Sequence, residues 1–357
     1  MVTTNDRLDD TTALPQRDPG DMLGRIRELP EQIGEAWRGA AALRVPKDYR
    51  EVDRIVVFAM GGSAIGADLL RGLIQSESPA PLIVVRGYDA PAYVDKRTLA
   101  IASSYSGDTE ETLTAFEAAL ERGAKPFIAT TGGTLLRMAE ERHMPRHVFS
   151  YAAMPRAAIA YSLMPLLALV QDLGFVNPQD DDVAEAVAVT AALRDDIDMG
   201  VPASANPAKQ LALRLHGRIP VVYGAEFLTE VARRWRGQLA ENGKTAAFSD
   251  ELPELNHNTV VGYPNPAAMR EHGAVVFLRS PALHPRVLLR YEATRDLLAE
   301  AGIRSETVSS HGSGPLAQTL GLVLFGDYVS FYLPLLNGAD PTEVNVIARL
   351  KQRLAEA

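Results

Sequence analysis

Short hydrophobic runs alternate with longer amphipathic segments between Val52 and Phe149. Short apolar runs bounded by turn residues are typical of buried strands, and the intervening segments have the length of helices. The strands predicted in this region are Ile55–Met60, Leu82–Val85, Leu99–Ser103, Pro126–Thr130 and His147–Phe149. Alternation of strands and helices predicts an α/β fold, with a parallel sheet that is covered by helices on both faces.

The second half of the chain repeats this plan. The strand Ile219–Gly224 leads into the helix Phe227–Leu239, as Val56–Met60 leads into a Gly-bearing turn and a helix. The other strands predicted here are Thr259–Val261, Ala274–Leu278 and Arg304–Val308. The helices predicted after the first sheet are Ala157–Leu173, Asp180–Met199, Pro315–Leu336 and Pro341–Ala355. We therefore expect two copies of one α/β unit.

A length of 357 residues fits two domains. We expect an N-terminal arm and helix over residues 1–50, a first domain over 51–178, a connecting helix over 179–200 and a second domain with C-terminal helices over 201–357. Residues 1–20 are polar and are expected to form a loose arm before a helix at Met22–Leu29.

Composition narrows the possible functions. With 46% hydrophobic and 23% charged residues the chain is an ordinary globular protein, and we expect no membrane span. A net charge of −9 argues against nucleic-acid binding, which depends on basic surfaces. Zero cysteines exclude disulfides and thiolate sites, and His and acidic residues lack zinc-type spacing, so we expect no metal. The polar, acidic N-terminus is not typical of a secretory signal, and we expect a cytoplasmic location.

The segment Ser103-Ser104-Tyr105-Ser106-Gly107-Asp108-Thr109 joins a predicted strand to a helix that begins near Glu110. Its hydroxyl groups, the unpaired N–H groups of the first helical turn and the helix dipole all favour an anion. It lacks the lysine of a nucleotide-binding P-loop, which favours a phosphate monoester over a nucleoside triphosphate. The alternative is that its hydroxyls only cap the helix.

A second turn of this kind is Gly61-Gly62-Ser63-Ala64-Ile65-Gly66. Its glycines allow a ligand to approach the backbone closely. The run is similar to part of a dinucleotide fingerprint, but Val85-Arg86-Gly87-Tyr88 stands where that motif needs an acidic residue. We therefore expect a second phosphate-binding turn and no dinucleotide cofactor.

Two later segments carry acid and base groups, Glu241-Asn242-Gly243-Lys244 and Pro253-Glu254-Leu255-Asn256-His257-Asn258. Together with a phosphate loop they suggest proton transfer on a phosphorylated sugar. With Pro155-Arg156 and Leu350-Lys351, these motifs resemble the bifunctional phosphoglucose/phosphomannose isomerase family from about Val52 onward. The phosphate loop alone indicates only the wider sugar-isomerase (SIS) superfamily; the glutamate and histidine segments are more specific.

The resemblance implies two SIS-type domains, each with a mainly parallel sheet flanked by helices in a doubly wound, flavodoxin-like arrangement. It also implies metal-independent and cofactor-independent interconversion of glucose 6-phosphate and mannose 6-phosphate with fructose 6-phosphate through a cis-enediol. Related isomerases supply a histidine to the neighbouring subunit's site, so we expect a homodimer with His257 supplied in trans.

The resemblance further assigns a role to each matching residue. Glu241 moves the proton between C1 and C2, and His257 moves a proton during ring opening. Arg156 steadies the enediolate, and Lys351 assists ring opening. The residues that match the family's phosphate-binding positions are Gly61, Gly62, Ser63, Ser104, Ser106, Gly107 and Thr109.

Two positions depart from the family pattern. Asp108 stands where relatives often carry Asn, and we expect it to face solvent or to cap the following helix, because an inward charge would repel phosphate. Acceptance of mannose 6-phosphate is linked in the family to a small hydroxyl residue before the C-terminal lysine. This chain has Val344 and Asn345 there, with Thr342 slightly earlier, so a single-epimer isomerase is an alternative.

Other interpretations compete with the isomerase. A sensor that binds sugar phosphate without turnover would use the same loops, and an amino-sugar enzyme would need a glutaminase half that this chain lacks. His257 has the alternative of a core histidine held by Asn256 and Asn258, and Glu254 is the second choice for the base.

Overall fold

A computed structural model describes residues 4–356, without the side chains of residues 4–6 and 355. These residues form two compact units. Unit I comprises Glu28–Val189 and Gly312–Thr319. Unit II comprises the described residues up to Arg27, Thr190–His311 and those from Leu320 onward. Because neither unit matches a single stretch of sequence, the domain limits proposed above stay predictions.

The strands of the two units are β1 (Arg54–Phe58), β2 (Leu82–Val85), β3 (Thr98–Ser104), β4 (Lys125–Thr130), β5 (Arg146–Val148), β6 (Ile219–Ala225), β7 (Phe248–Leu252), β8 (Gly273–Arg279) and β9 (Arg304–Ser309). The α-helices are α1 (Thr4–Asp9), α2 (Leu14–Arg17), α3 (Met22–Arg27), α4 (Leu29–Ala40), α5 (Gly61–Ile74), α6 (Glu110–Glu121), α7 (Gly133–Glu141), α8 (Ile159–Asp172), α9 (Asp180–Ile197), α10 (Pro207–Leu215), α11 (Thr229–Glu241), α12 (Ala268–His272), α13 (Pro285–Glu300), α14 (Pro315–Asn337) and α15 (Asn345–Ala355). Short 3-10 helices lie at Lys47–Glu51, Pro155–Ala157, Glu226–Leu228, Glu254–His257 and Thr259–Val261.

Unit I contains a parallel sheet with the strand order β2-β1-β3-β4-β5. β1 and β3 are almost wholly buried, which explains why their sequences are continuous apolar runs rather than alternating ones. Phe58, Phe116 and Ile128 lie in the core that covers one face of this sheet. The predicted flavodoxin-like α/β arrangement is confirmed.

Unit II contains a parallel sheet with the order β7-β6-β8-β9. β7 is absent from the predicted strands, because Phe248-Ser249-Asp250-Glu251-Leu252 is an edge strand with only Leu252 buried and so lacks an apolar run. The strand predicted at Thr259–Val261 is wrong: the segment is a 3-10 helix. Asn258 accepts a hydrogen bond from the Thr259 amide there, and this local cap outweighs the β-branched composition.

The loose arm predicted for residues 1–20 is also wrong for its described part. α1 and α2 form within it, Leu8 is fully buried, and the buried Lys209 donates to Asp9 Oδ1 at 2.9 Å. Lys209 Nζ also donates to the Met199 carbonyl at 2.8 Å. A buried ammonium needs such acceptors, so the ion pair anchors α1 to α10, the helix of Lys209, within unit II.

α14 is 23 residues long and is apolar enough, by length and composition alone, to cross a membrane. The composition predicts no membrane span. Its most apolar window is fully buried in the protein, as in the core helix of a globular fold. The Trp235 ring of α11 stacks on Phe325 of α14 at 6.1 Å, and its Nε1 donates to the Leu322 carbonyl at 2.8 Å.

Replacement of Gly326 by Ala should destabilise unit II. A Cβ at Gly326 would lie 2.2 Å from Trp235 Nε1, so the rigid ring must move, at a cost of about 1–3 kcal/mol. Gly237→Ala, on α11, is the matched control, because its Cβ meets nothing within 4 Å and helix propensity favours Ala by about 0.5–1 kcal/mol. Denaturant unfolding measures both variants, and equal effects of the two would contradict this packing.

Candidate active site

The two glycine- and serine-rich turns lie at neighbouring strand ends in unit I. α5 begins at Gly61 directly after β1, and α6 follows β3. β1 pairs with β2 on one side and with β3 on the other, so the chain changes direction at this point. Such a switch point, at the carboxyl ends of the strands, is the usual ligand position in parallel α/β sheets. The Tyr105 amide donates to Ser63 Oγ at 3.1 Å and joins the two turns.

The hydroxyl groups of the β3–α6 loop bond to one another and to the loop backbone. Ser104 Oγ lies 2.9 Å from Thr109 Oγ1 and accepts from the Gly107 amide at 3.2 Å. Thr109 occupies the N-cap position of α6, yet its hydroxyl is directed to Ser104 instead of capping the helix. The simple capping alternative is therefore wrong for Thr109, and the positive end of α6 stays open to an anion.

Glycine is needed at two points of this site. Gly107 has φ +74°, and a Cβ there would lie 1.9 Å from the Gly132 carbonyl oxygen. A Cβ on Gly62 would lie 2.7 Å from the carbonyl of Pro155 and 2.9 Å from the Arg156 amide. The close packing at Gly62 brings the 3-10 helix that carries Arg156 against the first turn of α5.

Arg156 is 5% exposed and Ser63 6%, so both sit below the surface at this end of the sheet. Met60, at the N-cap position of α5, has no side-chain oxygen with which to cap the helix. The N-terminus of α5 therefore adds its dipole to that of α6 near the same strand ends. Ser104 is also buried, whereas Ser106 is exposed and its Oγ accepts from the Asp108 amide at 3.2 Å.

Asp108 faces solvent, as expected, but it caps a helix other than the expected one. Its Oδ1 accepts from the amide and the hydroxyl of Thr134, each at 2.8 Å, at the start of α7 and not of α6. These two hydrogen bonds lower the pKa of the Asp108 carboxyl. The negative charge of Asp108 thus stabilises the start of α7 and is directed away from the phosphate loop.

Tyr105 holds the phosphate loop to the segment that leads to Arg156. Its hydroxyl donates to the Tyr151 carbonyl and accepts from the Ala153 amide at 3.1 Å. Its ring packs edge to face on Phe149 at 6.0 Å. Tyr105 is part of the predicted motif but has no predicted role, since a tyrosine between two serines does not reveal which distant residues it contacts.

Glu241 is the last residue of α11 in unit II and is half-buried. It borders a pocket of about 450 Å³ whose other polar lining residues include Lys244, Asp340, Glu343 and Asn345. Val344, one of the residues at which the family resemblance predicts epimer choice, lines the same pocket. The predicted base therefore lies beside the segment that leads into α15, the helix of Lys351.

A buried polar network fixes the helix of Glu241 against α14. Arg234 donates to Asp327 Oδ2 at 2.8 Å and Gln238 donates to Asp327 Oδ1 at 2.9 Å. One turn later, Asn242 Nδ2 donates to Ser330 Oγ at 3.2 Å. Because all these groups are buried, sliding α11 along α14 would leave polar atoms without partners.

His257 is exposed at the end of its 3-10 helix. Its two asparagine neighbours bond elsewhere: Asn256 Nδ2 donates to Thr294 Oγ1 at 2.7 Å, and Asn258 Nδ2 donates to Glu254 Oε1 at 2.8 Å. The alternative of a core histidine held by these asparagines is therefore wrong. The asparagines fix the backbone of the segment and leave the imidazole at the surface.

Lys351 is exposed on α15, as are four apolar side chains of that helix, Val346, Ile347, Leu350 and Leu354. Overall, unit I groups the phosphate-loop residues with the Arg156 turn, and unit II holds Glu241, His257 and Lys351. The roles assigned to these residues stay predictions.

Replacement of Thr109 by Val should weaken the binding of inorganic phosphate. The change keeps the shape of the side chain but removes a hydroxyl of the loop, and loss of one such hydrogen bond costs about 1 kcal/mol, about fivefold in affinity. Thr109→Ser keeps the hydroxyl and should bind as the wild type does. Calorimetric titration measures both variants; unchanged binding by Thr109→Val would contradict the anion site.

Two family models match the chain. A model described as the SIS domain matches residues 48–172, and one described as the bacterial phospho-glucose isomerase C-terminal SIS domain matches residues 204–354. A hypothetical protein from Thermus thermophilus has a similar solved structure, with a TM-score of 0.71, 19% identity and coverage of 99% of this chain and 94% of its own. At that identity the similarity concerns the fold alone.

Two curated relatives are similar over nearly their whole length. A bifunctional phosphoglucose/phosphomannose isomerase from Caldicellulosiruptor bescii is 41% identical over 94% of this chain and 99% of its own. A protein of the same name from Aquifex aeolicus is 33% identical over 87% of this chain and 93% of its own. The resemblance inferred from the motifs is confirmed: this chain, with its two SIS domains, belongs to the bifunctional phosphoglucose/phosphomannose isomerase family.

Proposed function

We propose that this protein interconverts glucose 6-phosphate and mannose 6-phosphate with fructose 6-phosphate, without a metal or cofactor. The observation that carries the proposal is the hydroxyl-lined loop at the switch point of unit I, with Thr109 directed to Ser104 and the N-terminus of α6 open. Hydroxyls, amides and a helix dipole suit a phosphate monoester. The names of the curated relatives support the same reaction.

The phosphate is the handle by which the sugar is held. The loop contributes Ser104, Ser106 and Thr109, the other turn contributes Ser63, and Gly61, Gly62 and Gly107 allow close approach of the backbone. Fixing the far end of the hexose leaves C1 and C2 for the acid and base groups. Binding energy at the phosphate then positions the reacting end.

Glu241 is the proposed base. For an aldose phosphate, its carboxylate takes the proton from C2 as the electron pair forms the C1–C2 double bond and the carbonyl oxygen at C1 gains a proton. The same carboxyl returns the proton to C1 while the C2 hydroxyl loses its proton and becomes the carbonyl, and this loss balances the proton gained by the oxygen at C1. A half-buried carboxylate suits transfer of a weakly acidic C–H proton, and the Arg156 guanidinium is proposed to stabilise the negative charge that builds on oxygen.

His257 and Lys351 are the groups proposed for ring opening. That step moves a proton from the anomeric hydroxyl to the ring oxygen, and an imidazole transfers protons in either direction near neutral pH. Because His257 is exposed, its imidazole can enter the active site of a second subunit. We therefore propose a homodimer with His257 supplied in trans.

Independence from metal is part of the proposal. Within residues 4–356, no cluster of three His, Cys, Asp or Glu side chains could hold a metal ion. The proposal assigns the stabilisation of the enediolate to arginine, amides and hydroxyls. A cytoplasmic location also stays a prediction.

Fructose 6-phosphate incubated with the purified protein and EDTA should yield both glucose 6-phosphate and mannose 6-phosphate. In deuterated water the products should carry deuterium at C2, and Glu241→Gln should abolish both turnover and exchange while it still binds inorganic phosphate. Coupled assays and NMR measure these outcomes. Glucose 6-phosphate alone would favour the single-epimer alternative, and tight binding without turnover would favour the sensor.

Mixing two inactive variants tests the dimer. A chain with Glu241→Gln keeps its histidine, and a chain with His257→Ala keeps its base, so a mixed dimer with histidine in trans has one complete site. After the chains are mixed and allowed to exchange, activity should return to roughly a quarter of the wild-type value in a two-fold symmetric dimer. If the histidine acted in its own chain, every mixed dimer would stay inactive.

A further inference from the structure

Lys244 adopts a backbone conformation that lysine rarely occupies. Its φ is +50°, in the left-handed region, just beyond the end of α11. Helices often end with such a residue, but the position is usually taken by glycine or asparagine. Asn242 and Gly243 come immediately before, yet the left-handed residue is the lysine. A strained conformation at a non-glycine residue indicates that the side chain has a function at that position.

The Lys244 ammonium joins two segments of unit II. It donates to the carbonyl oxygen of Glu241, in the last turn of α11, and to the carbonyl oxygen of Pro341 at 3.1 Å. Carbonyls at the end of a helix carry partial negative charge and favour a cation there. Pro341 belongs to the loop that runs from α14 to α15.

Both bonded segments border the pocket beside Glu241. Ala240, Glu241 and Lys244 line it from the end of α11, and Ala339, Asp340 and Glu343–Ile347 line it from the loop and the start of α15. The Asp340 side chain bonds within its own loop, since its Oδ1 accepts from the Thr342 amide at 2.7 Å. The ammonium thus sets how far the carbonyl end of α11 lies from this loop.

We propose that Lys244 is a positioning residue that fixes the backbone of Glu241 to the 339–344 loop and so sets the orientation of the Glu241 carboxylate. This inference rests on the proposed function, in which Glu241 is the base. Lys244 touches no reacting atom in this account; it acts through the carbonyl of Glu241 and through Pro341. The polar network of α11 with α14 fixes the body of the helix, and Lys244 fixes its last turn.

Lys244→Gly separates this role from simple support of the fold. Glycine adopts the left-handed conformation without strain, so the variant should be at least as resistant to unfolding as the wild type. Loss of the ammonium should lower kcat by about tenfold or more, since small misplacements of catalytic groups have large effects, with KM changed less than about threefold. Lys244→Arg keeps a cation at this position and should restore part of kcat.

His143→Gly is the matched control. His143 is another exposed non-glycine residue with positive φ, +51°, just after α7 in unit I. Its replacement removes the same kind of strain and leaves the Glu241 segment untouched. We expect unfolding behaviour like that of Lys244→Gly, and wild-type kcat.

Hydrogen exchange measures the clamp without any need for activity. In Lys244→Gly, amides of residues 339–344 should exchange faster than in the wild type, and in His143→Gly they should not. Unchanged exchange, wild-type kcat in Lys244→Gly, or an equal loss of kcat in both glycine variants would overturn the proposal. If the wild type itself failed to isomerise fructose 6-phosphate, the proposed function would fall, and the exchange result would still decide whether Lys244 holds the loop.

Discussion

The neighbouring positions of β1 and β3 are the constraint on which the proposed phosphate site depends. After β1 the chain goes on to β2 on one side, and after β3 it goes on to β4 on the other side. Because the strands are parallel, the turns after β1 and β3 lie at the same edge of the sheet, and each turn starts a helix. Tyr105 bonds the turns together through its amide and ties them to the Arg156 segment through its hydroxyl. A site built from helix N-termini and hydroxyls can hold an anion although the whole chain carries a net charge of −9.

Buried parallel strands were the most predictable part of the fold. β1, β3, β4 and β8 are continuous apolar runs, because helices cover both faces, and their ends differ from the predicted ones by at most two residues. β7 escaped because an edge strand needs no apolar run. The strand prediction at Thr259–Val261 failed because it rested on β-branched composition, which does not reveal the cap that the preceding residue, Asn258, supplies. The attachment of α1 involves an ion pair between Asp9 and the distant Lys209, a pairing with no local pattern.

The residues of the candidate site also differ in how far they could be predicted from local sequence. Local chemistry predicts the phosphate loop, since Ser, Thr and Gly at a strand-to-helix turn have a direct physical meaning. The roles of Glu241, His257, Arg156 and Lys351 are predicted from a family resemblance, and the comparisons confirm the family. Interactions across long sequence separations could not be foreseen. Lys244 bonds a carbonyl 97 residues away, and Asp108 bonds a helix beyond the one it precedes.

The central claim is that a sugar phosphate binds by its phosphate at the open N-terminus of α6, among hydroxyls and without a metal. A crystal structure of the protein with fructose 6-phosphate, grown in EDTA, tests it most directly. The account predicts phosphate oxygens within hydrogen-bonding distance of the Ser104, Ser106 and Thr109 hydroxyls and of the first amides of α6. A phosphate bound elsewhere, on a cluster of lysines and arginines, with the loop left empty, would contradict it.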